Sequence, residues 1–119
     1  MNKVYLGEDG IIHNDYFGDQ TSETVERVNK ENTPLAKKLR EQKKRVLIMG
    51  DFIGMKKVSL GARKTGYGMI MSLPYEKIAV FGTTLFLKYL TNFVMKATGK
   101  ADTIRFFSNK EEASAWLKS

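Results

Sequence analysis

The sequence predicts one α/β domain built on a mixed β-sheet, and two observations carry this prediction. The first is the alternation of strand and helix patterns over the last third of the 119-residue chain. Residues 77–82 form a short apolar run closed by Gly, 83–98 are helix-periodic, 103–108 are rich in β-formers, and 109–118 form a final helix. The second is the continuous apolar run at 45–51, which is typical of a central strand buried on both faces. Strands that alternate with helices imply right-handed crossovers and a parallel segment of sheet.

The first third of the chain predicts a hairpin followed by helix. Residues 3–6 and 11–17 are β-prone runs separated by Gly7-Glu8-Asp9-Gly10, and Asp-Gly is the strongest short hairpin signal. Thr21 or Ser22 caps a helix, and a second start appears at Thr33-Pro34. A straight helix over 21–44 would be about 36 Å long, so two short helices, or one kinked at Pro34, are expected in so small a domain.

The segment between the two inner strands is predicted as a loop at 52–57 followed by a helix at about 58–73, stopped by Pro74. Three glycines in this helix each cost on the order of 1 kcal/mol relative to Ala. This segment therefore has the weakest helix signal of those predicted.

Composition limits the classes of function. The chain has no Cys, which excludes a disulfide, a thiolate zinc site and a cysteine nucleophile and suits a reducing compartment. Neither a signal peptide nor a membrane span is indicated, so a cytoplasmic location is expected. The net charge is +7, and residues 33–100 contribute fourteen Lys/Arg against three Asp/Glu. A basic middle section attracts anionic partners.

The order of these elements resembles the SpoIIAA-like family of the STAS type. The resemblance rests on the inner strands VLIMGD and KIAVFG, the last strand IRFF, and a closing EEASAWL helix. It covers nearly the whole chain, so residues 1–119 are taken as one domain. It implies a mixed four- to five-stranded sheet with helices mainly on one face. It also implies a non-enzymatic module that works by binding partners.

The resemblance also implies one candidate modification site. Anti-sigma antagonists of this superfamily carry a phosphorylatable Ser in an Asp-Ser-Ser-Gly motif, in the turn after the central strand. The corresponding stretch here is Val58-Ser59-Leu60-Gly61, which lacks the acidic residue and one Ser. Ser59 is thus a candidate phospho-acceptor, although capping a helix is the commoner use of Ser at such a place.

Surplus apolar side chains predict a contact surface for a partner or ligand. On helix 83–98, Leu85, Leu87 and Tyr89 fall outside the core-facing stripe, which indicates either a deeply placed helix or a dimer or ligand face. On the segment 52–73, apolar contacts are predicted for Ile53, Met55 and Met69, with Lys56, Lys57, Arg63 and Lys64 orienting an acidic counterpart. The alternative is a peripheral membrane or lipid-binding module, because basic residues beside apolar ones suit anionic bilayers.

The remaining motifs do not indicate a specific catalytic or binding activity. Gly82, Thr83 and Thr84 open a helix after a strand, where an anion could bind, but an N-cap is the simpler interpretation. Residues 37–45 are Lys-rich without interleaved aromatics, so no nucleic-acid partner is expected. His13 is the only histidine and no metal-ligand cluster is visible. We therefore expect no enzyme activity, metal or cofactor.

Overall fold

The computed structural model of the protein describes residues 1–82, 92, 96–97, 99 and 102–119. In this part of the chain, a five-stranded sheet has its strands side by side in sequence order. The strands are β1 (Lys3–Leu6), β2 (Ile12–Gln20), β3 (Leu47–Val58), β4 (Lys77–Phe81) and β5 (Ile104–Phe107). β1 is antiparallel to β2, and every later pair is parallel. The predicted mixed sheet with a parallel inner segment is confirmed.

The N-terminal hairpin forms as predicted. Its turn is closed by hydrogen bonds from the Gly7 N–H to the Ile11 carbonyl (2.9 Å) and from the Gly10 N–H to the Gly7 carbonyl (3.1 Å). Gly10 has a φ of 80°, a conformation that residues with a Cβ rarely adopt. The Asp9 carboxylate accepts from the Ile11 N–H at 3.0 Å and tightens the same turn.

Strand β3 is much longer than predicted, because residues 52–57 continue it instead of forming a loop. Its second half pairs with the second half of β2, with register shifts near Tyr16 and Asp19. Gly54 permits this pairing: a Cβ there would lie 2.8 Å from the Phe17 ring and 3.0 Å from the Tyr16 carbonyl oxygen. The loop prediction was wrong because local composition does not reveal a distant pairing partner.

Helix α1 (Ser22–Glu41) is one continuous helix that contains Pro34, so the expectation of two separate short helices is wrong. Thr21 caps it, and the capping box is completed by the Thr24 side chain. Pro34 is exposed, so the backbone carbonyl that its missing N–H leaves unpaired can be hydrated. Thr33 directly precedes Pro34, and its hydroxyl donates a hydrogen bond to the Asn29 carbonyl at 2.8 Å. At 1.5 Å per residue the helix is about 30 Å long, within the 36 Å long dimension of the domain.

Two further helices are capped by polar side chains. Ser59 accepts from the Ala62 N–H (3.0 Å) and starts α2 (Leu60–Ser72), and Asn109 accepts from the Glu112 N–H (2.9 Å) and starts α3 (Lys110–Lys118). Buried residues of α1 and the C-cap of α2, Leu73, join one face of the sheet. α3 packs on the other face through Ala113 and Leu117. Two of the three described helices thus belong to one face.

The inner strands are buried on both faces, as the apolar runs predict. One core cluster contains Ile48, Ile78, Val80 and Ile104 beneath α1 and α2. The opposite cluster contains Leu47, Met49, Ala79 and Phe81 beneath α3. Successive strand residues therefore alternate between two apolar layers.

Replacing Gly68 with Ala should stabilise the domain. Gly68 lies inside α2, has an ordinary φ, and has open space where a Cβ would stand. Because Ala is the better helix former, we expect the free energy of unfolding in urea to rise by roughly 0.5–1 kcal/mol. Gly10→Ala is the matched control, and at its positive φ it should lower the same quantity by about 1 kcal/mol. Equal effects of the two substitutions would contradict the helix assignment at Gly68.

Candidate functional site

Helix α2 has two faces of interest, and the inner one covers a cavity of about 130 Å³. The sheet forms the floor of this cavity, α1 forms a wall and α2 forms the roof. The lining is mostly apolar and includes the predicted contact residues Met55 and Met69, both half-buried. Their predicted contact would therefore be with an apolar ligand in this cavity and not at the outer surface.

Two asparagines in the cavity wall are buried without a complete set of hydrogen bonds. Asn14 on β2 is 2% exposed and Asn32 on α1 is 0% exposed. The Oδ1 atom of each has no hydrogen-bond partner in the described structure. The Asn32 Nδ2 lies 3.8 Å from the Met69 sulfur. A buried acceptor without a donor costs roughly 1–3 kcal/mol, so these two oxygens favour a hydrogen-bond donor in the cavity, on a water molecule or on a ligand.

Tyr16 is a third polar residue of the cavity lining. Its side chain is buried and its ring packs edge-on to Phe52 at 5.3 Å between centroids. Burial raises the pKa of Tyr16 to about 12, and the Asn14 side chain opposes this rise only in part. The polar groups that are buried in the cavity wall are thus all uncharged at neutral pH.

The outer face of α2 is an exposed stripe that is largely apolar. Leu60, Lys64, Tyr67 and Met71 follow one another at spacings of four, three and four, so they lie on one side of the helix. Leu60 is 65%, Tyr67 40% and Met71 51% exposed. A helix that packs on a core normally turns polar side chains outward. This second face of α2 instead exposes apolar side chains to solvent. We call these four residues the outer stripe.

The predicted basic residues gather at the start of α2. Lys56, Lys57 and Arg63 line an open depression together with Ser59, and Asp19 is its one acidic member. The Asp19 carboxylate accepts from the Lys57 N–H at 3.2 Å. Ser59 is exposed and caps the helix, and the first turn of α2 holds no acidic residue. The depression therefore combines lysine charge with the positive end of a helix.

The remaining predicted site residues fall into two groups. Ile53 is 56% exposed on the second half of β3, and Gly82 is buried directly after β4. Thr83, Thr84, Leu85, Leu87 and Tyr89, with the predicted helix 83–98, lie outside the described residues.

His13 has a local structural role. It is buried, stacks on Tyr5 with 5.0 Å between ring centroids, and lies 2.9 Å from the Asp9 carboxylate. The Ile11 N–H and His13 together lower the pKa of Asp9, although partial burial acts in the opposite sense. Across the described residues there is no group of three or more His, Asp or Glu side chains placed to hold a metal ion.

The sequence-based prediction missed the two buried asparagines and the outer stripe, although the sequence contains a signal for each. Asn32 continues the apolar positions Val25 and Val28 at helical spacing, which predicts that it is buried. Asn14 stands between Ile12 and Tyr16 at the alternation of a strand. The spacing of the outer stripe is equally readable, but its exposure follows only from how α2 packs.

A hairpin that leads into a parallel sheet, with α1 and α2 over one face and a closing helix on the other, defines a small α/β domain of the mixed-sheet class. A profile of the SpoIIAA-like family matches residues 11–118. The chain belongs to the SpoIIAA-like family. None of the helices in the described ranges has both the length and the hydrophobicity needed to cross a bilayer.

Solved structures share this fold at low sequence identity. An uncharacterised DUF3478-family protein from Shewanella loihica PV-4, with a SpoIIAA-like fold, superposes with a TM-score of 0.68 at 18% identity, covering 98% of this chain and 92% of that one. The anti-sigma factor antagonist SpoIIAA in its unphosphorylated form gives a TM-score of 0.64 at 8% identity, covering 97% and 94%. A search of curated proteins found no match. These likenesses establish the fold.

The raised pKa of Tyr16 predicts a loss of stability at high pH. The folded state holds the phenol proton up to about pH 12, whereas an unfolded chain releases it near pH 10. Stability from this group is therefore complete below about pH 10 and is lost as the pH rises towards 12, by an amount on the order of 2 kcal/mol. In Tyr16→Phe, we expect urea unfolding to show a smaller loss of stability across this interval than in the wild type. Parallel losses in the two proteins would contradict the assignment.

Proposed function

We propose that the chain is a non-catalytic regulatory domain that binds a protein partner through the 52–73 segment, with the outer stripe of α2 at the centre of the contact. The observation that carries the proposal is the exposure of Leu60 and Met71 on a helix whose other face already packs on the domain. Apolar side chains arranged along one side of a helix suit docking against an apolar groove or a second helix. Membership of the SpoIIAA-like family and the fold of an anti-sigma factor antagonist support a regulatory role.

The partner surface should be acidic around an apolar centre. Lys64 lies within the outer stripe, and Lys56 and Lys57 are exposed at its N-terminal end. Such charges mainly accelerate association and exclude basic partners, while the buried apolar contacts supply most of the affinity. A second copy of the chain is one partner of this kind, since residues 1–32 carry seven Asp/Glu against three Lys/Arg. The predicted contribution of helix 83–98 stays a prediction from the sequence.

Truncating the outer stripe should abolish partner binding without unfolding the domain. The partner would be captured by crosslinking in cells that produce the protein, purified, and titrated by calorimetry against Leu60→Ser, Met71→Ser and the wild type. Each substitution should weaken binding by roughly tenfold or more, because each removes an apolar anchor that is exposed in the free domain. Unfolding in urea should change by less than about 0.5 kcal/mol.

Charge reversal supplies the matched control for this experiment. Lys56→Glu with Lys57→Glu should slow association and reduce its salt dependence, whereas Lys37→Glu with Lys38→Glu, exposed on α1, should not. The proposal is wrong if both serine variants bind the partner as tightly as the wild type does. Sedimentation velocity of the same variants tests whether the partner is a second copy.

The alternative function is peripheral binding to an anionic membrane, which the lysines beside the exposed Leu60 and Met71 favour. Co-sedimentation with phosphatidylserine vesicles and with phosphatidylcholine vesicles separates the two functions. Binding that requires the anionic lipid, disappears at high salt and is lost in Leu60→Ser would replace the protein partner with a membrane.

Ser59 remains a candidate phospho-acceptor within the proposed interface. An acidic group at this N-cap meets the helix dipole and the neighbouring Lys56, Lys57 and Arg63, so a phosphate there is compatible with the fold. We expect Ser59→Asp to keep the stability of the wild type, since Asp is also a good N-cap, and Ser59→Ala to lose about 1 kcal/mol in urea unfolding. If Ser59→Asp were the less stable of the two, the acceptor assignment would fail.

A further inference from the structure

We propose that the cavity beneath α2 is a binding site for a small, neutral, mostly apolar molecule that carries hydrogen-bond donors, such as a single ring bearing a hydroxyl or amino group. This site is distinct from the outer stripe, so the proposal can be tested independently of the proposed function. Three properties of the cavity specify the ligand: its size, its unpartnered acceptors and its lack of buried charge.

The volume limits the ligand to about one ring. At about 130 Å³ the cavity is close to the roughly 150 Å³ engineered cavities that stay dry and bind benzene. Its walls are built from side chains such as Ile48, Val80 and Met69. Methionine adapts its shape to irregular contents, and Met69 and Met55 stand on opposite elements of the wall.

The unpartnered acceptors require donors on the ligand. Asn14 Oδ1 lies on the sheet side and Asn32 Oδ1 on the helix side, both buried and both without a partner in the described structure. A hydroxyl or amine that donates to one of them removes the cost of an unsatisfied buried acceptor. A purely apolar ligand of the same shape leaves that cost in place. Donor-bearing molecules should therefore be selected over apolar isosteres.

Among the described residues, no buried charged side chain lines the cavity, which selects a neutral ligand. The buried polar side chains that line the cavity are Asn14, Tyr16, Gln20 and Asn32. The cation on the lining, Arg63, is exposed and borders the basic depression as well. An ion transferred to the interior of this site would have no compensating charge there.

The test uses phenol and toluene, which have nearly the same shape and differ by one donor. Titration of the full-length protein, followed by methyl and backbone NMR shifts of the lining residues, should give saturable phenol binding with a Kd of roughly 0.1–1 mM. Toluene should bind about tenfold more weakly. Asn32→Leu replaces the acceptor with a methyl group on a side chain of the same branching, and it should abolish the preference for phenol over toluene even where the larger Leu weakens the binding of both.

Asn29→Leu is the matched control. Asn29 lies on the same helix and its Oδ1 is also buried without a partner, but it does not line the cavity. It should keep the preference for phenol. Asn14→Leu gives a second test from the opposite wall if Asn32→Leu unfolds. The proposal is overturned if neither probe saturates, if phenol and toluene bind equally to the wild type, or if Asn29→Leu loses as much of the preference as Asn32→Leu.

Discussion

The parallel pairing of β2 with β3 is the constraint on which the rest of the structure depends. The first half of β3 lies at the centre of the sheet, between β2 and β4, and its alternate side chains enter both apolar layers. The second half continues along β2 alone in the described structure, beyond the last residue that β4 pairs. This extension fixes where Ser59 stands, since its N–H donates to the Gln20 carbonyl at 3.1 Å. The position of α2, and with it both of its faces, follows from this ladder.

Helix α2 is held by packing more than by its own propensity. Gly61, Gly66 and Gly68 each weaken it relative to Ala, and the cavity beneath it deprives its inner face of part of the contact that a filled core would give. Unsatisfied oxygens on Asn14 and Asn32 add to the cost. Aliphatic side chains in this space would give a more stable core, and a local loss of stability of this kind is common at functional sites.

The parts of the fold that could be predicted are those with local signals. The apolar runs of β3, β4 and β5 predict strands that are buried on both faces, and the Asp9-Gly10 turn predicts the hairpin. The extension of β3 could not be predicted, because residues 52–57 become a strand only through pairing with β2, far away in sequence. The continuity of α1 through Pro34 has a similar origin, since burial of Val28, Ala36 and Leu39 on both sides of the proline outweighs its local cost.

The candidate site likewise has some features that the sequence reveals and others that only the packing of the fold decides. The basic residues at 56–64 are visible in the sequence, and three of them, Lys56, Lys57 and Arg63, line one depression at the start of α2, while Lys64 lies in the outer stripe. The sequence marks Met55 and Met69 as adaptable apolar residues, but only the packing of α2 over the sheet decides that they line a cavity. Because one helix forms both the roof of the cavity and the outer stripe, ligand binding below and partner binding above would share α2. If binding at one site shifts α2 and so changes the affinity at the other site by some factor, linkage requires that binding at the other site change the first affinity by the same factor. A ligand that leaves α2 unmoved changes neither affinity through this helix.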